Sequence, residues 1–276
     1  MRLLPIGLAL SGGTARSVAH VGVIRALREA GLPVAYVAGT SGGAIVGTIF
    51  AAGASDERMA GIALSIGWRD LASMSLSALG LVSSKPIERF MEEALPGARF
   101  EGLKLPCAVT ATNLLTGARE AFTRGPIARV VRASCSIPQI YLPVEIEGTP
   151  YVDGGLAEYL PVQTVREFGP QFTLAVNLAP EREHYRKPRH YLKLVMVLIN
   201  MVARQNLGPS LRRADFVLHP PVERFGAFDF GRARTMMDLG YETTRARIAD
   251  IERAWRSKSA WWSRIRSKLR PAADAR

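Results

Sequence analysis

Short apolar runs that stop abruptly at glycine set the pattern of the first fifty residues. Ile6-Gly7-Leu8-Ala9-Leu10 reads as a strand and leads into the turn Ser11-Gly12-Gly13-Thr14-Ala15-Arg16. Val18, Val21, Ile24 and Leu27 then recur at helical spacing up to a stop at Gly31. Pro33 to Ala38 is a second apolar run; it ends in Gly39-Thr40-Ser41-Gly42-Gly43, and Ala44 to Ala51 is long enough to start a helix. Two consecutive strand–turn–helix units predict a parallel sheet with helices on its faces. Both turns then lie at the carboxyl ends of their strands, where open α/β sheets place ligands.

Further along, 55–67 fits a helix capped by Ser55 or Asp56, and Pro86 suits the first turn of a helix through Leu95. Between them, Trp68 to Ser84 lacks a firm period and reads as a cover over an apolar site or an irregular connector. Cys107 to Thr112 is a buried strand, with an antiparallel return over Ala118 to Phe122 after Asn113–Gly117. A helix over Ile127 to Ala133 precedes Ser134-Cys135-Ser136-Ile137-Pro138. Val144 to Val152 reads as a hairpin turning near Gly148, and it delivers Asp153-Gly154-Gly155. Pro161 opens a helix, and Thr173 to Asn177 is a further strand. Leu192, Val195, Leu198, Ile199 and Val202 mark a buried or interfacial helix, and Phe216 to His219 is a last strand. From about Gly231 the chain is helical in pattern.

At 276 residues and 48% hydrophobic, the chain has room for one large α/β domain or two small ones. Its apolar runs fall short of the ~18–20 residues of a membrane-spanning helix. The basic–apolar start, Met1-Arg2 then Leu3 to Leu10, is too short for a signal peptide and leads straight into the first turn. Cys107 and Cys135 sit in apolar segments without metal-ligand spacing, which points to a reduced, cytoplasmic protein. The net charge is +12, and residues 251–276 carry half of it, with eight Lys or Arg against two acids.

The chemistry centres on Gly39–Gly43. A G-x-S-x-G turn between strand and helix is the setting of a nucleophile elbow, in which a strained serine stands beside free helix N-terminal N–H groups. Alternatively, such a turn simply packs tightly or holds a phosphate. A serine nucleophile needs a base, donors for the developing oxyanion and a dry pocket. The Gly12-Gly13 turn offers donors, since it ends a strand next to a helix N-terminus and its N–H groups have no ladder partner; a nucleotide-phosphate loop is disfavoured, as neither the P-loop nor the dinucleotide spacing is present. His20 lies mid-helix, and His184, His190 and His219 lack a site-like context. Asp153 follows a strand and precedes two glycines; burial would raise its pKa towards that of a useful base, although Asp-Gly-Gly is also an ordinary turn.

Taken together, these segments resemble the bacterial patatin-like phospholipase family. Leu10 to Val23 looks like its oxyanion block, Gly39 to Ala44 its nucleophile block, and Asp153-Gly154-Gly155 its aspartate block. Ala133 to Pro138 and Ala214-Asp215 are similar to further family segments, so the resemblance runs from about Ile6 to Pro220. It implies a three-layer α/β/α fold with a mostly parallel sheet and a Ser–Asp dyad of Ser41 and Asp153 without histidine. Gly12, Gly13 and Thr14 would form the oxyanion loop, with Arg16 fixing it. Gly39 and Gly43 would shape the elbow, and Gly154 and Gly155 the aspartate loop. The implied reaction is hydrolysis of lipid acyl esters through an acyl-enzyme, with no metal or cofactor. The alternative is a non-catalytic or weakly active lipid-binding protein on the same fold, because Thr14 and Ser17 replace two usual glycines. An α/β-hydrolase using a histidine is a third reading, disfavoured by the early position of Ser41.

The resemblance places an acyl hydrolase domain at 1–225 and a basic helical segment at 226–276. On a helix, Ile251, Trp255, Trp261, Trp262, Ile265 and Leu269 fall within an arc of about 120°. With cations mostly outside that arc, residues 251–270 suit peripheral contact with an anionic membrane on its inner face, or docking on the domain. Nucleic acid is not an expected partner, since no other segment resembles a nucleic-acid module.

Overall fold

The computed structural model describes residues 3–67, 82–169, 171–179, 187–189 and 191–269. Most of the Trp68–Ser84 segment therefore lies outside the described residues. Strands β1 (Ile6–Leu10), β2 (Val34–Thr40), β3 (Cys107–Asn113), β4 (Arg119–Phe122), β5 (Val144–Ile146), β6 (Thr149–Asp153), β7 (Phe172–Val176) and β8 (Phe216–Leu218) form one mixed sheet, ordered β5-β6-β3-β2-β1-β7-β8. The run from β3 to β8 is parallel, while β4 and β6 pair antiparallel with β3.

Alternation along the central strands builds two unequal faces. Leu8, Leu10, Val37, Val109, Leu174 and Val176 point into the larger core. Ala9, Ala38, Ala108 and Ala175 point the other way. The bulky face carries α1 (Ala19–Glu29), α2 (Gly42–Ala51) and the long α9 (Ala233–Leu269); Ile24, Ile49, Met236, Ile251 and Trp255 join its core. The alanine face takes α7 (Val162–Arg166) and α8 (Tyr191–Arg213), through Val162, Val165 and Leu207. The expected α/β/α layering is present. The remaining helices are α3 (Asp56–Ser65), α4 (Lys85–Ala94), α5 (Ile127–Ser134) and the single turn α6 (Gly155–Glu158). Ser55 caps α3, its Oγ accepting the Arg58 N–H at 3.2 Å.

Two features read differently in three dimensions. Helix α8 divides its apolar residues: Val195 and Leu207 are buried, whereas Leu194 and Leu198 are exposed. In α9 the apolar arc is likewise split. Ile251 and Trp255 are buried, and the Trp255 indole donates to Leu4 O at 2.8 Å, while Trp261 is 55% exposed. Asp215 receives Lys258 in an ion pair and accepts the Thr173 N–H at 2.7 Å, so it ties the sheet edge to α9.

The α1–α9 crossing has no room for side chains at two points. A Cβ on Gly22 would lie 1.9 Å from Met237 O, and one on Gly240 2.1 Å from Ala19 O. Gly22→Ala is expected to cost about 1–3 kcal/mol through overpacking, lowering Tm in a thermal melt by roughly 2–12 °C. Gly61 in α3 faces open space; Gly61→Ala should instead stabilise by about 0.5–1 kcal/mol.

Candidate active site

Strand β3 holds the two ends of the site together. Its residues 107–110 pair with β2, with Thr40 opposite Thr110. Residues 111–113 pair with β6, with Asp153 opposite Ala111. Strand β4 pairs with 109–112 and so overlaps both of them. An interior strand has two edges, so β2 and β6 must share the edge that β4 does not occupy. They arrive from opposite directions and end on adjacent β3 residues. Ser41 follows the end of β2, and Asp153 is the end of β6.

Ser41 has φ 52° and ψ −125°, a conformation that costs a non-glycine residue about 1–3 kcal/mol. Its neighbours make that possible. A Cβ on Gly39 would lie 2.3 Å from Gly43 O, and one on Gly43 2.4 Å from Leu10 O, so the elbow folds back on itself against β1. The Ser41 N–H is not spent on a helix bond; it donates to Ser134 Oγ at 2.8 Å. Thr40 Oγ1 meets Thr110 Oγ1 at 2.5 Å and donates to Glu158 O at 2.8 Å.

Asp153 is buried, accepts a hydrogen bond from the Gly155 N–H at 2.7 Å through Oδ1, and lines the same cleft as Ser41. Gly154 N–H donates to Ser134 O at 3.3 Å, which seats the aspartate loop on the end of α5. Burial pushes the Asp153 carboxyl up to about 6, against the Gly155 N–H and the nearby Ser41 hydroxyl, which pull it down. Cys135 contacts Ser41; burial, and then the charge of Asp153, raise its thiol well above the usual range.

The Ser11–Arg16 turn lies beside the elbow, and its donors are unequal. Gly12 N–H donates to Tyr159 O at 3.1 Å, while Tyr159 Oη donates to Gly12 O at 2.8 Å. Ala15 N–H is taken by Ala227 O at 2.9 Å. Among the described residues, Gly13 and Thr14 N–H make no hydrogen bond. Thr14 has φ 53°, so the residue standing where a third glycine is usual occupies a left-handed conformation a β-branched side chain disfavours. Arg16 Nε donates to Phe225 O at 2.9 Å and so fastens the turn to the loop before α9. Ser17 Oγ is buried without a partner among the described residues.

A cleft of about 520 Å³ opens over Gly12, Gly13, Thr14, Arg16, Ser41 and Asp153, closed by Tyr159, Asn200 and Ala203. Among the described residues no histidine lines it. His20 is buried beneath the turn with Nε2 2.9 Å from Ser11 O; burial drives its pKa down to about 4, which keeps the ring neutral. His219 pairs with Asn177, and His184 and His190 lie outside the described residues. The sequence reading missed Tyr159, Ser134 and the backbone of Phe225 and Ala227. Their contributions are hydrogen bonds across 93 to 212 residues, which no local pattern announces. This cleft can activate a hydroxyl with a buried carboxylate and stabilise a developing oxyanion with N–H groups.

The family model described as patatin-like phospholipase matches residues 8–166. An uncharacterized NTE family protein of Mycobacterium tuberculosis is 38% identical over 176 residues, 63% of this chain and 49% of that protein. Lysophospholipase NTE1 of Mycosarcoma maydis is 29% identical over 273 residues, 87% of this chain and 14% of that one. The crystal structure of the type III effector protein ExoU has a TM-score of 0.52 at 15% identity, covering 90% of this chain and 53% of that one, a likeness of fold. The chain spans about half the length of the mycobacterial relatives it matches.

The raised Asp153 pKa carries a sign for stability. The folded chain holds a proton that the unfolded chain has released between pH 3.8 and about 6, so stability falls with pH across that window. The cost persists above it, on the order of 2–3 kcal/mol. Asp153→Asn is therefore expected to raise Tm at pH 8 and to leave it little changed at pH 4. A melt in which the variant loses stability at pH 8 would contradict the assigned burial.

Proposed function

Because the chain belongs to the patatin-like phospholipase family, we propose that it is a serine hydrolase cleaving acyl esters of lipids through Ser41 and Asp153. The observation that carries this is the strained Ser41 standing in one cleft with Asp153, a buried carboxyl titrating near 6. A base in that range is ionised at neutral pH and still accepts a proton in the transition state. Phospholipase A, lysophospholipase and simple esterase activities share this chemistry.

Ser41 Oγ attacks the ester carbonyl as its proton passes to Asp153. The oxyanion is met by the Gly13 and Thr14 N–H groups, while Gly12 and Arg16 hold the turn in place through Tyr159 and Phe225. Collapse of the tetrahedral intermediate breaks the ester C–O bond, and Asp153 returns the proton to the leaving alkoxide. Water then attacks the acyl-enzyme with Asp153 taking its proton, and Ser41 recovers it when the acid leaves. No step calls on a metal or cofactor. The strain at Thr14 tunes one donor, and the loss of a single oxyanion donor is worth about 10²–10³ in rate.

Hydrolysis of a p-nitrophenyl acyl ester by the purified chain should fall at least about 10³-fold in Ser41→Ala and in Asp153→Asn. The kcat/KM of the wild type should rise with pH and level off above about 6, following the ionisation of Asp153. A fluorophosphonate probe should label wild type and not Ser41→Ala. Absence of labelling together with equal turnover in all three proteins would leave the non-catalytic lipid-binding reading in its place.

Peripheral membrane contact through residues 251–270 also belongs to this proposal. Since Ile251 and Trp255 are buried in the core, the contact falls to Trp261 and Trp262, whose rings meet edge to face at 5.6 Å. Trp261→Ala with Trp262→Ala should weaken sedimentation with anionic vesicles and leave ester turnover in detergent unaltered; equal sedimentation removes this part.

A further inference from the structure

Three cavities meet at Thr14, and their linings differ in kind. The cleft towards α8 is bordered by Arg16, Tyr159, Asn200 and Asp153. On the other side of Ser41 a second cavity runs past Gly42 and Ile45 towards Ile66 and Phe230. It shares those four residues with a third cavity, which continues between α2 and α3 to Met59, Ala63 and Phe90. Among the described residues no charged side chain lines that third space, and only Thr14 and Ser17 bring a hydroxyl to it.

We infer that the passage from Ser41 past Ile45 to Ala63 and Phe90 receives the acyl chain of the substrate, while the alcohol leaving group departs through the Arg16–Asn200 cleft. The ester carbonyl must sit between Ser41 Oγ and the Gly13–Thr14 donors, so its two substituents point into different cavities. A hydrocarbon chain gains on entering the apolar one, about fourfold in affinity per methylene removed from water. A hydroxylated or charged head group loses there, because the described lining offers it no charged partner. The α8 side offers the Asn200 amide and the Arg16 guanidinium edge. Thr14 stands at the junction: it borders all three spaces, and its backbone N–H makes no hydrogen bond among the described residues. Ala63 and Phe90 lie far along the passage, so they set how many methylenes fit.

The assignment rests on the hydrolase reading for the position of the carbonyl, and the test separates the two. Ester turnover would be measured over p-nitrophenyl butanoate, dodecanoate and hexadecanoate. Binding of free dodecanoate would be measured separately in the Ser41→Ala background by displacement of a fluorescent fatty acid. Ala63→Phe is expected to lower the dodecanoate-to-butanoate ratio of kcat/KM by about tenfold or more, equivalent to displacing two methylenes. It should weaken dodecanoate binding in Ser41→Ala by a similar factor. Phe90→Ala should raise the hexadecanoate-to-dodecanoate ratio, and it decides the matter alone if Ala63→Phe does not fold. Unshifted ratios in the folded variants, with turnover intact, overturn the passage. Dodecanoate bound by Ser41→Ala and expelled by Ala63→Phe, in a chain without ester turnover, keeps the passage and sinks the hydrolase reading.

Discussion

One strand edge governs the rest of the molecule. Strand β3 gives half of an edge to β2 and half to β6, and the two meet head to head at Thr110 and Ala111. Backbone hydrogen bonds fix that register to a fraction of an ångström, so a serine and an aspartate 112 positions apart face each other without any long side chain spanning a gap. Chains that must hold a base by a flexible residue lose precision; here both groups are one covalent step from a ladder. The glycines around Ser41 follow from this. The elbow has to turn within a single residue of the strand end, against β1, and no Cβ fits there.

Stability is given up at the same place. Ser41 and Thr14 both hold left-handed conformations, and Asp153 is a buried carboxyl met by the Gly155 N–H instead of a cation. Each departs from what packing alone would choose, and each is held by structure built elsewhere: the alanine and leucine faces of the sheet, and the α1–α9 crossing. That separation fits a rigid scaffold carrying a strained centre.

Much of this was legible in the chain because the signals are local. The two strand–turn–helix units, the Ser55 cap and the Gly148 hairpin all came from residues a few positions apart, and so did the Ser41 and Asp153 loops. The alternation that sorts Leu8 and Leu10 from Ala9 was equally visible, but not which helices would fill each side. What stayed hidden depends on distant partners. The arc Ile251–Trp255–Trp261 was correctly amphipathic, yet the sequence could not say that its first half would close on Leu4. Nor could it show that Gly12 N–H, free of its own ladder, would be taken by Tyr159 O and leave Gly13 and Thr14 as donors. The apolar pattern of α8 named a buried helix; it could not say that Leu194 and Leu198 would face outward.

The fastening of the first turn by the far end of the chain has a consequence for biosynthesis. Residues 11–16 emerge early, but Ala15 is held by Ala227, Arg16 by Phe225, and the segment before β1 by Trp255 and Ser259. The turn can therefore gain its clasp only once the chain has been made past Ala227, and the segment before β1 its partners only past Ser259.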